Sequence, residues 1–246
     1  MKTLRALNTA LVIMFSCGTV NAGGYSFYVG AAPGKTFNNG SGNQLCETCA
    51  DYPLEVTDND TGYKVYAGLN LTDKLAIEGE YADLGKTYAV SGTNNTGSTG
   101  TIAMTDNLDV VSLAYFPSSR FNNAFQETTG VGVSLKASTP VNAGSTKLFG
   151  KAGVFAWKNA NYIDYTRTGS GSEVHETEDN GVSPVVGVGA EHAISNHWRV
   201  RGGWDHYFKV GQGEPFLHTD SSGNYADLQS VDTDVDMAYL GMTYDF

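Results

Sequence analysis

Read backwards by twos from Phe246, the chain shows Tyr244, Met242, Leu240 and Ala238, while the positions between are Asp245, Thr243, Gly241, Tyr239 and Met237. A period of two with one unbroken apolar face predicts a strand, and the opposite face is small, polar or aromatic. The same alternation recurs upstream. Tyr25, Phe27, Val29 and Ala31 alternate with Ser26, Tyr28, Gly30 and Ala32, and Tyr63, Val65, Ala67, Leu69 and Leu71 alternate with Lys64, Tyr66, Gly68 and Asn70. Thr72-Asp73-Lys74 then turns the chain into a strand with Leu75, Ile77 and Tyr81 on one face and Glu78 and Glu80 on the other, which makes a hairpin. Eight strands follow from this reading: 25–34, 61–71, 75 to the Leu84-Gly85-Lys86 close, 128–139, 146–158, 183–194, 197–210 and 235–246.

The connections sort by length. Thr72-Asp73-Lys74, Pro140 to Ser145 and Ser195-Asn196 are short, whereas 35–60, 86–127, 159–182 and 211–234 are long and rich in Gly, Ser, Thr, Asn and Asp. Short turns on one side and long loops on the other belong to an all-β, eight-stranded antiparallel up-and-down transmembrane β-barrel. Asp109 to Phe116 reads as a strand inside the second long loop; a ninth spanning strand would put the termini on opposite sides of the membrane, so a strand extension or small hairpin above the barrel is expected. Glu78, Lys136, Lys151, Glu191 and Arg201, joined by Glu80, Arg199 and Asp205, share the inward phase. Lys or Arg facing lipid at the midplane costs about 2–4 kcal/mol, so this common phase supports the register. An eight-stranded interior is just wide enough for side chains to fill it, which excludes a wide diffusion pore.

Met1 to Ala22 carries Lys2 and Arg5, an apolar stretch around Ala10 to Phe15, and Val20-Asn21-Ala22 before Gly23-Gly24. This is the build of a secretory signal peptide over 1–22, leaving a barrel over 23–246. Cys17 suggests an acylation site, but bulky Phe15 and the better-formed Val-x-Ala site favour cleavage after Ala22. No other window offers the roughly 18–20 apolar residues of a spanning helix. Without Lys2 and Arg5 the chain has 13 basic and 26 acidic residues, which argues against nucleic acid as a partner. Cys46 and Cys49 stand as Cys-Glu-Thr-Cys in a polar stretch of an exported chain and read as a disulfide. A zinc site lacks a second ligand pair, and no βαβ pattern supports a redox motif.

Gly181-Val182-Ser183-Pro184-Val185, continuing through Gly189-Ala190-Glu191-His192-Ala193-Ile194, resembles the sixth strand of the OmpA-like transmembrane barrel family. Gly150-Lys151-Ala152-Gly153 with Trp157, and Leu84-Gly85-Lys86, resemble the same family in the same order, across 23–246 apart from the loops. A terminal Phe with Tyr two residues earlier resembles the closing strand of bacterial outer-membrane barrels, so Tyr244 and Phe246 are the expected signal for the assembly machinery. The resemblance implies residence in the outer membrane of a Gram-negative bacterium, among outer-membrane lipids and lipopolysaccharide, with a host or phage ligand as a candidate partner of the loops. It also implies that Glu78, Lys136, Glu191 and Arg201 form an interior salt-bridge network that plugs or gates the lumen. Mutual neutralisation in a closed core and a gating role both stay open at this point. The peptidoglycan-binding domain of full-length OmpA proteins has no counterpart here, and cell-wall anchoring is not expected.

No cofactor, metal site or catalytic set is expected. His192 and His206 take the outward phase, and His197 lies beside Trp198 at the short-turn end, where an aromatic girdle accounts for them. His175 and His218 fall in separate acidic loops. Asp58, Asp60 and Gly62 give only a fragment of a calcium loop. The expected function is a structural outer-membrane protein with surface loops for contacts and at most a narrow, salt-bridge-gated ion path. One rival is an outer-membrane enzyme acting on lipid A or phospholipid, which requires a His or Ser at a lipid-accessible rim. Another is a soluble ligand-binding barrel of lipocalin type, which the charged lumen and apolar exterior oppose.

Overall fold

The computed structural model describes residues 26–38, 54–57, 59–92, 103–106, 109–112, 119–141, 145–167, 171–211, 217–219, 225–228 and 233–246. In chain order the strands are β1 (Ser26–Asn38), β2 (Leu54–Thr57), β3 (Asn59–Asn70), β4 (Leu75–Gly92), β5 (Ala103–Asp106), β6 (Asp109–Ser112), β7 (Ser119–Pro140), β8 (Thr146–Arg167), β9 (Gly171–Ala193), β10 (Trp198–Val210), β11 (Leu217–Thr219), β12 (Tyr225–Leu228) and β13 (Thr233–Asp245). Eight of them close a ring, each antiparallel to the next: β1, β3, β4, β7, β8, β9, β10 and β13. The ring shuts where β13 meets β1, with Tyr244 opposite Val29 and the Phe246 N–H donating to the Phe27 carbonyl at 3.0 Å. An eight-stranded closed sheet leaves no edge to pair with a neighbour through its spanning part.

The alternation fixes which face meets lipid. Val131, Val133 and Leu135 on β7, Leu148 and Val154 on β8, Val182 and Val188 on β9 and Leu240 on β13 are all at least 49% exposed, an apolar area that only a hydrocarbon surround accommodates. Aromatic side chains cluster at its short-turn end where β10, β13 and β1 meet. Phe27 packs on Phe246 at 5.6 Å between centroids, Tyr244 lies 5.0 Å from Trp198 and 5.6 Å from His197, and Tyr244 and Phe246 are 5.1 Å apart. Small residues let the inner face close up: at Gly68 an added Cβ would overlap the ring of Tyr28, which lies across the glycine from β1.

The long connections are not loops throughout. The segment 159–182, expected as a loop, continues β8 and β9 as a paired ladder up to Arg167 opposite Gly171. Within 86–127, β4 runs to Gly92 and β7 starts at Ser119, paired as far as Ser91 with Asn123; β2 pairs with the top of β4. β1 reaches Asn38, and in 211–234 β11 pairs with β12. The period-two signal fades there because strands that leave the membrane meet water on their outer face and need no apolar alternation. β8 and β9 have 22 and 23 residues, about twice the 9–11 residues that cross a bilayer. Of the doubtful segment 109–116, residues 109–112 pair with β5 in a separate two-stranded sheet, as a small hairpin, and 113–116 lie outside the described residues. The bends are local: Gly85 takes φ +67° at a β-bulge on β4, where its N–H donates to Asp83 Oδ1 at 2.9 Å.

Candidate functional site

The inward phase brings Glu78 and Glu80 of β4, Lys64 of β3, Lys136 of β7, Lys151 of β8, Glu191 of β9 and Arg201 and Asp205 of β10 into one buried cluster. It holds four cations and four anions. Arg201 is central: its guanidinium donates to Glu78 Oε2 at 2.6 Å and Oε1 at 3.0 Å, and its Nε lies 3.6 Å from Glu191 Oε1. The same guanidinium sits 4.4 Å from the Tyr66 ring centroid and 4.3 Å from that of Phe149. Lys136 donates to Glu191 Oε1 at 2.7 Å over the Tyr28 ring, and Tyr28 donates its hydroxyl to Glu78 Oε2 at 2.8 Å. At the short-turn end Arg199 closes the group, donating to Glu191 at 2.5 Å and to both carboxylate oxygens of Asp245.

Lys151 belongs to a second layer. It donates to Glu80 Oε2 at 2.6 Å and lies 2.9 Å from Asp205 Oδ2, whereas Glu78 is 4.0 Å away. Lys64 completes this layer, paired with Asp205, 3.8 Å from Glu80 and 3.3 Å from the Tyr239 ring centroid. Gly187 on β9 leaves the space that the Asp205 carboxylate and the Lys151 stem occupy; a Cβ there would sit 3.0 Å from Lys151 Cε and overlap Asp205 Oδ1. The five sequence-derived residues are therefore adjacent but divided between two layers that meet at Glu78 and Lys151. Lys64 was visible on the inward phase of its strand; its partner on β10, and the rings of Tyr28, Tyr66 and Tyr239 over the cations, depend on cross-barrel neighbours that periodicity does not specify.

Farther from the short turns the lumen is uncharged, with large apolar side chains beside buried Thr36, Asn38, Thr128 and Ser183. Phe155, Tyr207, Val185, Val235, Met237 and Leu84 are fully buried, and Phe155 meets Tyr207 edge to face at 4.7 Å. The Tyr207 hydroxyl reaches back to Glu80 Oε1 at 3.3 Å, so one side chain joins the ionic and uncharged layers. Toward the short turns a cavity of about 320 Å³ opens between Lys74, Lys147, Asp245 and Ser26, and it ends on Lys136, Glu191 and Arg199.

A family model described as the OmpA-like transmembrane domain matches residues 24–246. The chain belongs to that family. Outer membrane protein A of Serratia marcescens is 32% identical over 80 residues, which is 32% of this chain and 21% of that protein, so the match spans about a fifth of the relative's length. Among solved structures, a major outer membrane protein from Thermus thermophilus aligns at TM-score 0.47 and 13% identity, covering 91% of this chain and 100% of the other. The attachment invasion locus protein Ail of Yersinia pestis aligns at TM-score 0.44 and 10% identity, with coverage of 91% and 100%. As a member of the OmpA-like family the protein resides in the Gram-negative outer membrane, with its apolar band in lipid.

The histidines do not assemble a catalytic group among the described residues. His192 Nδ1 pairs with Thr146 Oγ1 at 2.9 Å beside the short turns, and His206 Nδ1 with Asp236 Oδ1 at 2.7 Å near the opposite rim. A hydroxyl–imidazole pair and an imidazole–carboxylate pair at opposite ends of a barrel cannot work as one triad. His197 bonds the Asp245 carbonyl within the aromatic girdle. The side chains of His175 and His218, and Cys46 and Cys49 altogether, lie outside the described residues.

Proposed function

We propose that this OmpA-like protein is a structural, non-enzymatic outer-membrane barrel whose lumen is held shut and whose long hairpins serve surface contacts. The observation that carries the reading is the composition of the lumen: a charge-balanced cluster, four cations against four anions, in series with an uncharged layer built on the rings of Phe155 and Tyr207. Ions crossing the first barrier would have to displace pairs that already satisfy each other, and the second narrows the lumen with the Phe155 and Tyr207 rings and offers only uncharged groups such as Thr36 and Ser183 in place of a hydration shell. Any ion path is therefore narrow and intermittent, with Glu78, Lys136, Glu191, Arg201 and Lys151 as its gate.

In this reading residues 1–22 are a signal peptide, 23–246 the barrel, Cys46–Cys49 a disulfide within the first long connection, and Tyr244 with Phe246 the ending read by the assembly machinery. Lipopolysaccharide surrounds the upper rim, and a host or phage ligand would meet the hairpins. The lipid-modifying enzyme is the weaker reading, since among the described residues neither His192 nor His206 has both a hydroxyl and a carboxylate partner.

Planar-bilayer recording tests the closed lumen. Wild type should show only rare, small openings, Arg201→Ala alone slightly more, and Arg201→Ala with Phe155→Ala a sustained current, because the two barriers act in series. A large steady conductance in wild type would overturn the reading.

A further inference from the structure

β9 is paired on both sides only as far as Val185, which lies opposite Tyr207 of β10. From there to Gly171 it keeps β8 on one side, and on the other no strand among the described residues is laddered to it. The departure of β10 is built into the chain. Lys209 adopts φ +47°, in the left-handed region, and its carbonyl accepts from the Ser183 hydroxyl at 2.8 Å, which in turn accepts from Trp157 Nε1 at 2.7 Å. Pro184, which has no N–H to offer, sits where the β9–β10 ladder ends. Beyond this junction, residues 171–178 have no ladder partner on their second side among the described residues, and a strand edge of that kind receives an added strand through backbone hydrogen bonds.

Charge selects the occupant. The segments 39–58, 87–127, 159–182 and 211–234 carry 17 acidic and two basic residues, so the acidity of the chain lies largely beyond the spanning strands. On β9 itself Glu176 and Glu178 are exposed, and Glu173 lies farther out on the same strand. A second copy pairing antiparallel on this edge would set acid against acid, which is destabilising for directly opposed residues. The segment 211–234, which follows β10, contains no Lys or Arg and is itself acidic.

We infer that this second edge of β9 receives an extended, lysine- or arginine-rich segment of another protein, added as a strand antiparallel or parallel to residues 171–178. The inference rests on the reading of the hairpin end as the outer surface, but edge pairing is measurable in isolated protein whichever way the barrel faces. A negative result therefore leaves the structural reading intact.

The test uses the full chain refolded into nanodiscs of zwitterionic lipid, with three probes: an alternating Lys-Val peptide, an alternating Glu-Val peptide, and the Lys-Val peptide N-methylated at alternate residues. The Lys-Val peptide should bind at least about tenfold more tightly than the other two, lose affinity with salt, and slow amide exchange within 171–178. Glu176→Lys with Glu178→Lys should turn the preference toward Glu-Val. Equal binding of the methylated and unmethylated peptides would reduce the effect to surface charge and overturn strand addition. Edge amides of 171–178 already protected in the free protein would mean that the chain covers its own edge, and self-association in sedimentation would make a second copy the occupant; either result overturns the inference.

Discussion

Replacing Arg201 with Ala removes the side chain on which the lower ionic layer depends. Arg201 is wholly buried and gives Glu78 two hydrogen bonds, at 2.6 and 3.0 Å. Without it Glu78 keeps the Tyr28 hydroxyl at 2.8 Å and Lys151 at 4.0 Å, and the buried cluster acquires a net negative charge. Breaking a buried pair by removing one partner costs about 3–5 kcal/mol, and loss of the guanidinium from between Tyr66 and Phe149 adds roughly 1 kcal/mol or more. The expected loss, about 4–6 kcal/mol, is a large part of the 5–15 kcal/mol of a typical domain. Arg201→Lys keeps the charge and loses the fork, and should fall between. Arg201→Met with Glu78→Leu should recover most of the loss, because an apolar replacement of a whole buried pair is often neutral, and Glu191 retains Lys136 at 2.7 Å and Arg199 at 2.5 Å. Urea unfolding of barrels refolded into lipid vesicles gives the numbers. If Arg201→Ala lies within about 1 kcal/mol of wild type, the ion pair is not holding the lumen and the reasoning fails.

Further outcomes follow from other parts of the barrel. Deleting Phe246 removes one backbone hydrogen bond and its ring contacts with Phe27 and Tyr244, about 1–3 kcal/mol; heat-modifiable protein in membranes should nevertheless fall far more than the stability of barrels already folded. Gly68→Ala should destabilise by roughly 1–3 kcal/mol by pushing the Tyr28 ring off the glycine, and vesicle unfolding with Tyr28→Phe as a reference reads it. Val133→Arg, on an outward position 58% exposed, should cost about 2–4 kcal/mol in lipid, while Glu178→Arg above the membrane should stay within about 0.5 kcal/mol. Alkylation and mass spectrometry of envelope protein should find Cys46 and Cys49 joined, and their reduction should leave barrel unfolding unchanged, since so small a ring adds little chain-entropy stabilisation.

Period two carried most of the architecture. Leu75, Ile77 and Tyr81 against Glu78 and Glu80 were enough to orient β4, because lipid on one side and a narrow interior on the other penalise any exchange of faces. The same physics explains what was not legible. Gln126, Asn159 and Asn161 are buried on the inner face of the extended β7–β8 ladder, but with water outside there is no apolar partner face to reveal the strand, and composition alone read it as loop. Within the site, the inward phase could name the charges but not pair them. That Lys151 serves Glu80 and Asp205 before Glu78 depends on the stagger of strands around the barrel, which no single strand records.

The buried charges also bear on how the barrel reaches one register. If β10 slipped by one residue, Arg199, Arg201 and Asp205 would turn to lipid, and Trp198, Val200 and Trp204 would enter a lumen with no space for two indoles. Arg201 would cost roughly 2–4 kcal/mol near the midplane and Arg199, at the short-turn interface, up to about 1 kcal/mol, a large part of the 5–15 kcal/mol of a typical domain. An apolar lumen would impose no such penalty, since both faces of each strand would then be acceptable to lipid. Small inward residues such as Gly68 and Gly187 add a second check, because Tyr28 and Asp205 fit only where those glycines stand. A charge-neutral interior therefore specifies the fold whether or not ions ever pass through it, and a variant with all eight charges replaced by apolar residues should misregister before it leaks.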